Sequence, residues 1–243
     1  MMVGLYSART KDGFEAYSEH IERCLEKFEK IFPVFYSSII RIFEYHGEKE
    51  ELKSSFEKMV MFHDLGKLTT KWQKCLIDGK KNPIHAPIGA AYLWKTLPEN
   101  LKNPLAFAVC IHHTDQGLLG DNIEKPDVRA ILDGIAGWNG KIIWDEKIRE
   151  EGDFIPKDLE GKVDVTSLKE MAVGLREWSR GCSILEQHRR RIMASLAHHI
   201  LKLCDISAAL ERAEYEKTDD VYGGWRMVAE IEKYVLCLEK RVR

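Results

Sequence analysis

Met59-Val60-Met61-Phe62-His63-Asp64-Leu65-Gly66-Lys67 carries an apolar run straight into a histidine and a carboxylate. Leu52, Phe56, Met59 and Val60 recur at three- and four-residue steps and His63 continues the series, so the spacing predicts an amphipathic helix ending on His63. Gly66 offers a left-handed stop. A carboxylate buried at such an end costs several kcal/mol unless a cation meets it. The pair is therefore either a capping Asp beside a satisfied core histidine or part of a metal site.

Outward from this stretch the same periodicity recurs. Phe14, Tyr17, Ile21, Cys24, Leu25, Phe28, Ile31 and Phe32 describe a helix face ending near Pro33, with His20 at its edge. Pro87 sits where a helix starts, which places His85 just before its first turn. Asn103-Pro104 reads as a cap and first residue of a helix running through Leu105, Ala108, Val109 and His112, ended by the loop Thr114 to Gly120. From Cys182 to Arg212, Leu185, Ile192, Leu196, His199, Leu203, Ile206 and Leu210 trace one long helix, with Asp205 displaced from that face beside Ala208 and Ala209. Residues 121–181 mix a polar tract, Ile142-Ile143-Trp144 and a helical pattern from Leu168 to Trp178, and read as an insertion or lid. Two-residue alternation is scarce, so the fold class is all-α.

The 243 residues are 44% hydrophobic and 31% charged, the composition of a globular protein with a substantial core. The absence of a Pro/Gly/Ser-rich linker or internal repeat predicts one domain over residues 1–243. The apolar stretch 31–40 is too short to span a bilayer and no basic-then-apolar leader opens the chain, so a cytoplasmic protein with no membrane partner is expected. Cysteines 24, 75, 110, 182, 204 and 237 form no CxxC and read as buried small hydrophobes. A net charge of −2 carries no global basic field, so contact with nucleic acid has to be local.

His20, His85, His112, His113 and Asp205 all fall near the ends or inner faces of the expected helices. The ordered set His20, His63-Asp64-Leu65-Gly66-Lys67, His85, His112-His113 and Asp205 resembles the HD superfamily. Within it the set resembles the nuclease part of the CRISPR-associated type I helicase-nuclease, in its stand-alone form without the helicase. The His-Asp pair alone is unspecific; His85 and the histidine doublet are what favour the nuclease branch. The resemblance implies an HD helical bundle with an irregular insertion. It also implies one divalent ion held by His20, His63, Asp64 and Asp205, and a second held by Asp64, His85, His112 and His113. Two such ions activate a water and stabilise the leaving oxygen of an in-line attack on phosphorus, with Lys67 neutralising phosphate charge or helping to protonate the leaving group. Mg, Mn, Fe, Co and Ni all suit the donor set.

Adjacent residues on an ideal helix point about 100° apart, so His112 and His113 share a metal only where their helix ends or loosens. His198-His199 lies mid-helix and is read as a decoy. Gly66-Lys67 lacks the earlier Gly and the following Ser or Thr of a phosphate loop, so no ATP is expected. For phosphate contact the candidates are His188-Arg189-Arg190-Arg191 and, after the motif, Lys71, Lys74, Lys80 and Lys81. Trp72 or Trp138 could stack a base, although a packing role suits each of them better.

The expected activity is hydrolysis of single-stranded DNA, with RNA as a second candidate, in CRISPR interference, alongside a separate ATP-dependent helicase and a CRISPR surveillance complex. No serine or cysteine nucleophile constellation competes. The alternatives are an HD phosphohydrolase acting on a nucleotide or cyclic dinucleotide, and a nonhydrolytic HD adaptor. The complete apparent ligand set argues against the adaptor.

Overall fold

The computed structural model describes residues 4–113, 124–149 and 152–215, together with Tyr234, Cys237 and Leu238. Its described residues form an all-α, HD-like bundle with one small hairpin at the N-terminal end. Strand β1 (Tyr6–Arg9) pairs antiparallel with β2 (Phe14–Ala16) through a turn in which Gly13 takes φ +151°. Phe14 thus lies on a strand and not on the first helix face.

Helix α1 (Tyr17–Phe43) follows directly and runs through Pro33 instead of ending there. A proline inside a helix costs about 3 kcal/mol. Ile31, Phe32, Ile39 and Phe43, on both sides of it, are buried, at about 1.5–3 kcal/mol each, and this burial outweighs the break. The helix stops at Glu44, whose backbone is left-handed.

Helix α2 (Lys49–Phe62) buries Leu52, Phe56, Met59 and Val60 as the periodicity predicts. A 3-10 turn (Leu65–Leu68) and α3 (Thr70–Ile77) continue from it, followed by α4 (Ala86–Thr96) and α5 (Glu99–Cys110). Pro87 does stand at the start of α4, with His85 as its N-cap. Pro104, by contrast, lies inside α5, which begins after Pro98. Asn103 does not cap it; its side chain accepts a hydrogen bond from Trp94 Nε1 at 3.1 Å.

Of residues 121–181, 133–164 is the irregular stretch, lying between α6 (Pro126–Leu132) and α8 (Val165–Arg180) and holding 3-10 turns and the one-turn α7 (Leu159–Lys162). Helix α8 is a regular bundle member, opened by a reciprocal Asp164–Ser167 capping box and packed on α4, α5, α6 and α9. The loop Thr114 to Gly120 lies outside the described residues.

Helix α9 (Ile184–Tyr215) packs along α1 and α5. Its buried stripe is Met193, Ala194, Ala197, Ile200, Leu201, Leu203, Cys204 and Ala208, while Leu185 and Ile192 are exposed. Only Leu203 of the anticipated face belongs to the stripe, which is rotated so that Ala194, Ala197, Cys204 and Ala208 pack inward beside Met193, Ile200, Leu201 and Leu203. Cys24, Cys75, Cys110 and Cys204 are buried as expected, but Cys182 and Cys237 are exposed. Among the described residues no helix is long and apolar enough to cross a membrane.

Candidate metal centre

His63 and Asp64 converge because α2 gives way between them. His63 still has helical backbone (φ −60°, ψ −32°), whereas Asp64 takes φ −103°, ψ 12°, the bridge region in which many active-site residues sit. The histidine doublet uses the same device. Helix α5 stops at Cys110, Ile111 takes φ −105°, ψ 5°, and the His112 and His113 rings come to 3.8 Å between centroids. Both histidines thus lie just beyond the helix, where its backbone has loosened.

Two glycines press these ends together. A Cβ on Gly66 would lie 2.2 Å from the His85 carbonyl oxygen, and one on Gly89 would lie 2.3 Å from that of Phe62. Gly66 is not among the glycines of positive φ; its missing side chain serves close approach and not the left-handed stop expected of it. The crossing seats His85 against Asp64, with His85 Nε2 3.1 Å from Asp64 Oδ1.

The side chains sort around the two oxygens of Asp64. His112 Nε2 is 3.5 Å from Oδ1, beside His85, and His113 Nε2 lies 2.7 Å from His85 Nε2. On the other oxygen, His63 Nε2 and His20 Nε2 lie 3.4 and 3.6 Å from Oδ2. Asp205, from α9, places Oδ1 3.3 Å from His20 Nε2 and 3.8 Å from His63 Nε2. All seven anticipated ligands therefore meet at one place. His63, His112 and Asp64 form its buried floor, and His85, His113 and Asp205 its more exposed rim.

The electrostatics of the floor call for a cation. His63 Nδ1 is 2.7 Å from the Val60 carbonyl and His112 Nδ1 is 2.6 Å from that of Val109. A carbonyl only accepts, so each Nδ1 carries the proton and donates it. Each Nε2 then turns a lone pair toward a carboxylate oxygen, and His63 Nε2, His112 Nε2 and Asp64 Oδ1 are buried without a hydrogen-bond partner. Burial holds the imidazoles of His85 and His112 down to about 4, against the pull of Asp64, so both are neutral at pH 7. Burial works against the Asp64 charge as well, but His63 and Lys67 hold its carboxyl well below the usual range. Donors of this kind at these separations could hold a metal ion.

Lys67 is inside the site, its Nζ 2.5 Å from Asp64 Oδ2 and 5.6 Å from the Trp72 ring centroid. Trp72 is buried and meets His85 edge-on, so it packs beneath the site, whereas Trp138 is 93% exposed. Lys71 and Lys74 stand exposed on α3, immediately after the motif. The arginine cluster is elsewhere. Arg189 pairs with Glu44 at the end of α1, and Arg190 donates to the Trp178 carbonyl at 2.5 Å and pairs with Glu186. Fifteen residues of α9 separate Arg190 from Asp205, about 22 Å along a helix, so Arg189, Arg190 and Arg191 are not brought to the metal centre. His199 meets Phe35 edge-on and Tyr234 at a tilt, and neither it nor His198 joins a potential metal-ligating group among the described residues.

Two residues escaped the sequence reading. Cys24, one turn beyond His20 on α1, puts Sγ 3.7 Å from His20 Nε2 and falls into the same potential ligand group as His63 and Asp205. Glu15, on β2, is buried beneath His20. Burial would raise its carboxyl, but His20, Ser7 and Arg212 overcome this and bring it down to about 2.

No family model matches the chain. Over 132 residues, 51% of its length, it is 31% identical to the CRISPR-associated endonuclease Cas3-HD of Thermoproteus tenax. The match spans 54% of that protein, about half the length of the curated relative.

Proposed function

We propose that the chain is a metal-dependent phosphodiesterase of the HD nuclease type, cutting single strands of nucleic acid, chiefly DNA and also RNA, in CRISPR interference. The observation that carries this is the pair of buried imidazole lone pairs facing the two oxygens of one carboxylate. The likeness to an endonuclease over half of the chain supports it. In this reading His20, His63, Asp64 and Asp205 would hold one divalent ion, and Asp64, His85, His112 and His113 a second. Bound there, the ions supply Lewis acidity and lower the pKa of a water.

The chain's own groups supply the arrangement. Backbone carbonyls fix the His63 and His112 rings so that Nε2 faces the site. Asp64 shares its charge between both sets of histidines, and Lys67, held on Asp64, adds a cation beside the reacting phosphate. A phosphodiester approaches over the rim of His85, His113 and Asp205, with Lys71 and Lys74 on the flanking helix for neighbouring phosphates. Trp138 presents an exposed ring to a base. Residues 1–243 act as one domain, and a separate ATP-dependent helicase and a CRISPR surveillance complex deliver the strand.

A metal-supplemented assay comparing a labelled single strand, a duplex and a panel of nucleotides and cyclic dinucleotides tests the proposal. Single-strand cleavage should vanish in Asp64→Ala while strand binding largely persists. Near wild-type turnover by folded Asp64→Ala would sink the site assignment. Turnover confined to nucleotides would favour a phosphohydrolase, and metal binding without turnover a nonhydrolytic adaptor.

A further inference from the structure

Glu15 is a full charge inside the protein, its side chain only 1% exposed, and it has more partners than its own neutralisation needs. Arg23 Nη1 donates to Oε1 at 2.6 Å, Arg212 Nη1 donates to Oε2 at 2.6 Å, and the Ser7 hydroxyl also donates to Oε2. These donors come from α1, α9 and β1, while Glu15 itself sits on β2. The carboxylate is thus locked from three sides, and the fourth faces the His20 ring. His20 Nδ1 lies 3.7 Å from Glu15 Oε2, is buried, and has no hydrogen-bond partner. The other ring nitrogen, Nε2, faces Asp205 and Asp64.

We propose that Glu15 is a positioning residue for the metal centre: it keeps the His20 proton on Nδ1 so that Nε2 is presented to the ion shared with His63, Asp64 and Asp205. The inference rests on the metal-dependent reading above. His20 Nε2 lies 3.3 and 3.6 Å from the Asp205 and Asp64 carboxylates, so its lone pair can face them only with an ion between, and the proton is then left to Nδ1, where the Glu15 charge favours it. His63 and His112 obtain the same result from backbone carbonyls. For His20, at the first turn of α1, the nearby acceptor is a side chain from the preceding strand. Second-layer partners of this kind set ring orientation and ligand basicity, and removing one typically costs about 10–100-fold in metal affinity. The two arginines and Ser7 hold Glu15 still, which a lone carboxylate on a three-residue strand could not do for itself. Gln73 adds to this by tying β1 to the metal-binding turn, its Nε2 donating to the carbonyls of Tyr6 and Lys67, each at 2.8 Å.

The test is metal titration, with Mn²⁺ or Co²⁺ alone as the probe, of the wild-type chain and of Glu15→Ala and Glu15→Gln, each checked for folding by circular dichroism. Affinity should fall about 10–100-fold in Glu15→Ala and recover in part in Glu15→Gln, whose amide oxygen can still face Nδ1. A folded Glu15→Ala with wild-type affinity, whatever its melting temperature, overturns the inference and leaves Glu15 as a strut. If the alanine variant does not fold, ¹⁵N-histidine spectra of the Zn²⁺-loaded wild type decide. A His20 proton on Nδ1 supports the role, and a proton on Nε2 defeats it. A wild-type chain that binds none of these metals refutes the metal-dependent reading itself, an outcome distinct from either.

Discussion

One carboxylate faces five imidazoles here, and Asp64 can do so only because each of its oxygens looks at a different set. His85 and His112 belong to Oδ1, His63 and His20 to Oδ2, and His113 touches the first set through His85. Replacing His112 and His113 together should therefore remove one of two bound ions and cut activity severely, while replacing His198 and His199 should change neither. Metal counting on the folded variants checks this, and unchanged stoichiometry in the first would leave a one-metal phosphohydrolase as the better account. The residues of this cluster were legible in the sequence because each is an ionisable group set into an apolar pattern or doubled beside one. Glu15 was not. It precedes α1 on a strand of three residues, too short for alternation to register, and one of its arginines is 197 positions away. Cys24 was read correctly as buried, yet nothing in its spacing separated a core thiol from one beside a ligand.

The helices were legible and their limits were not, since limits depend on tertiary burial that local signals cannot weigh. Pro33 and Pro104 both lie inside helices they seemed to end or begin, and half of the buried stripe of α9 is alanine and cysteine, which mark a face weakly. The crossing of the His63–Lys67 turn with α4 was equally hidden, although Gly89-Ala90-Ala91 is a run of small side chains at the point of contact. Gly89→Ala would drive a methyl group to 2.3 Å from the Phe62 carbonyl oxygen and 2.8 Å from that of His63. Backbone on both sides cannot swing away as a side chain could. The variant should lose about 1–3 kcal/mol of stability, the usual cost of overpacking, and bind metal more weakly because His85 is displaced from Asp64. Gly161→Ala is the control, since its Cβ would meet nothing within 4 Å and should be neutral or slightly stabilising. Equal melting temperatures and metal affinities for the two variants would show that the crossing does not position the site.

At the scale of the molecule, access to the site constrains what is cut. His63, Asp64 and His112 are 0–1% exposed, so a phosphate must descend past His85, His113 and Asp205 to reach the shared carboxylate. A single strand bends into such a recess. A duplex, with a persistence length of about 150 base pairs, cannot offer one phosphate there without melting or kinking. Of the arginines that might have compensated by gripping a duplex, Arg189 and Arg190 are tied to Glu44, Glu186 and the Trp178 carbonyl toward the far end of α9. The net charge of −2 adds no general attraction for a polyanion, and these 243 residues contain no phosphate loop with which to drive strand separation. The protein should therefore cleave single strands, flaps and the displaced strand of an R-loop, and leave blunt duplex intact unless an ATP-driven helicase is supplied. The measurement is a gel-based time course on those four substrates with saturating divalent metal, with and without helicase and ATP. Processive, metal-dependent degradation of closed duplex DNA by the purified protein alone would show that the recess opens further than its buried floor implies, and that strand separation is not left to a partner.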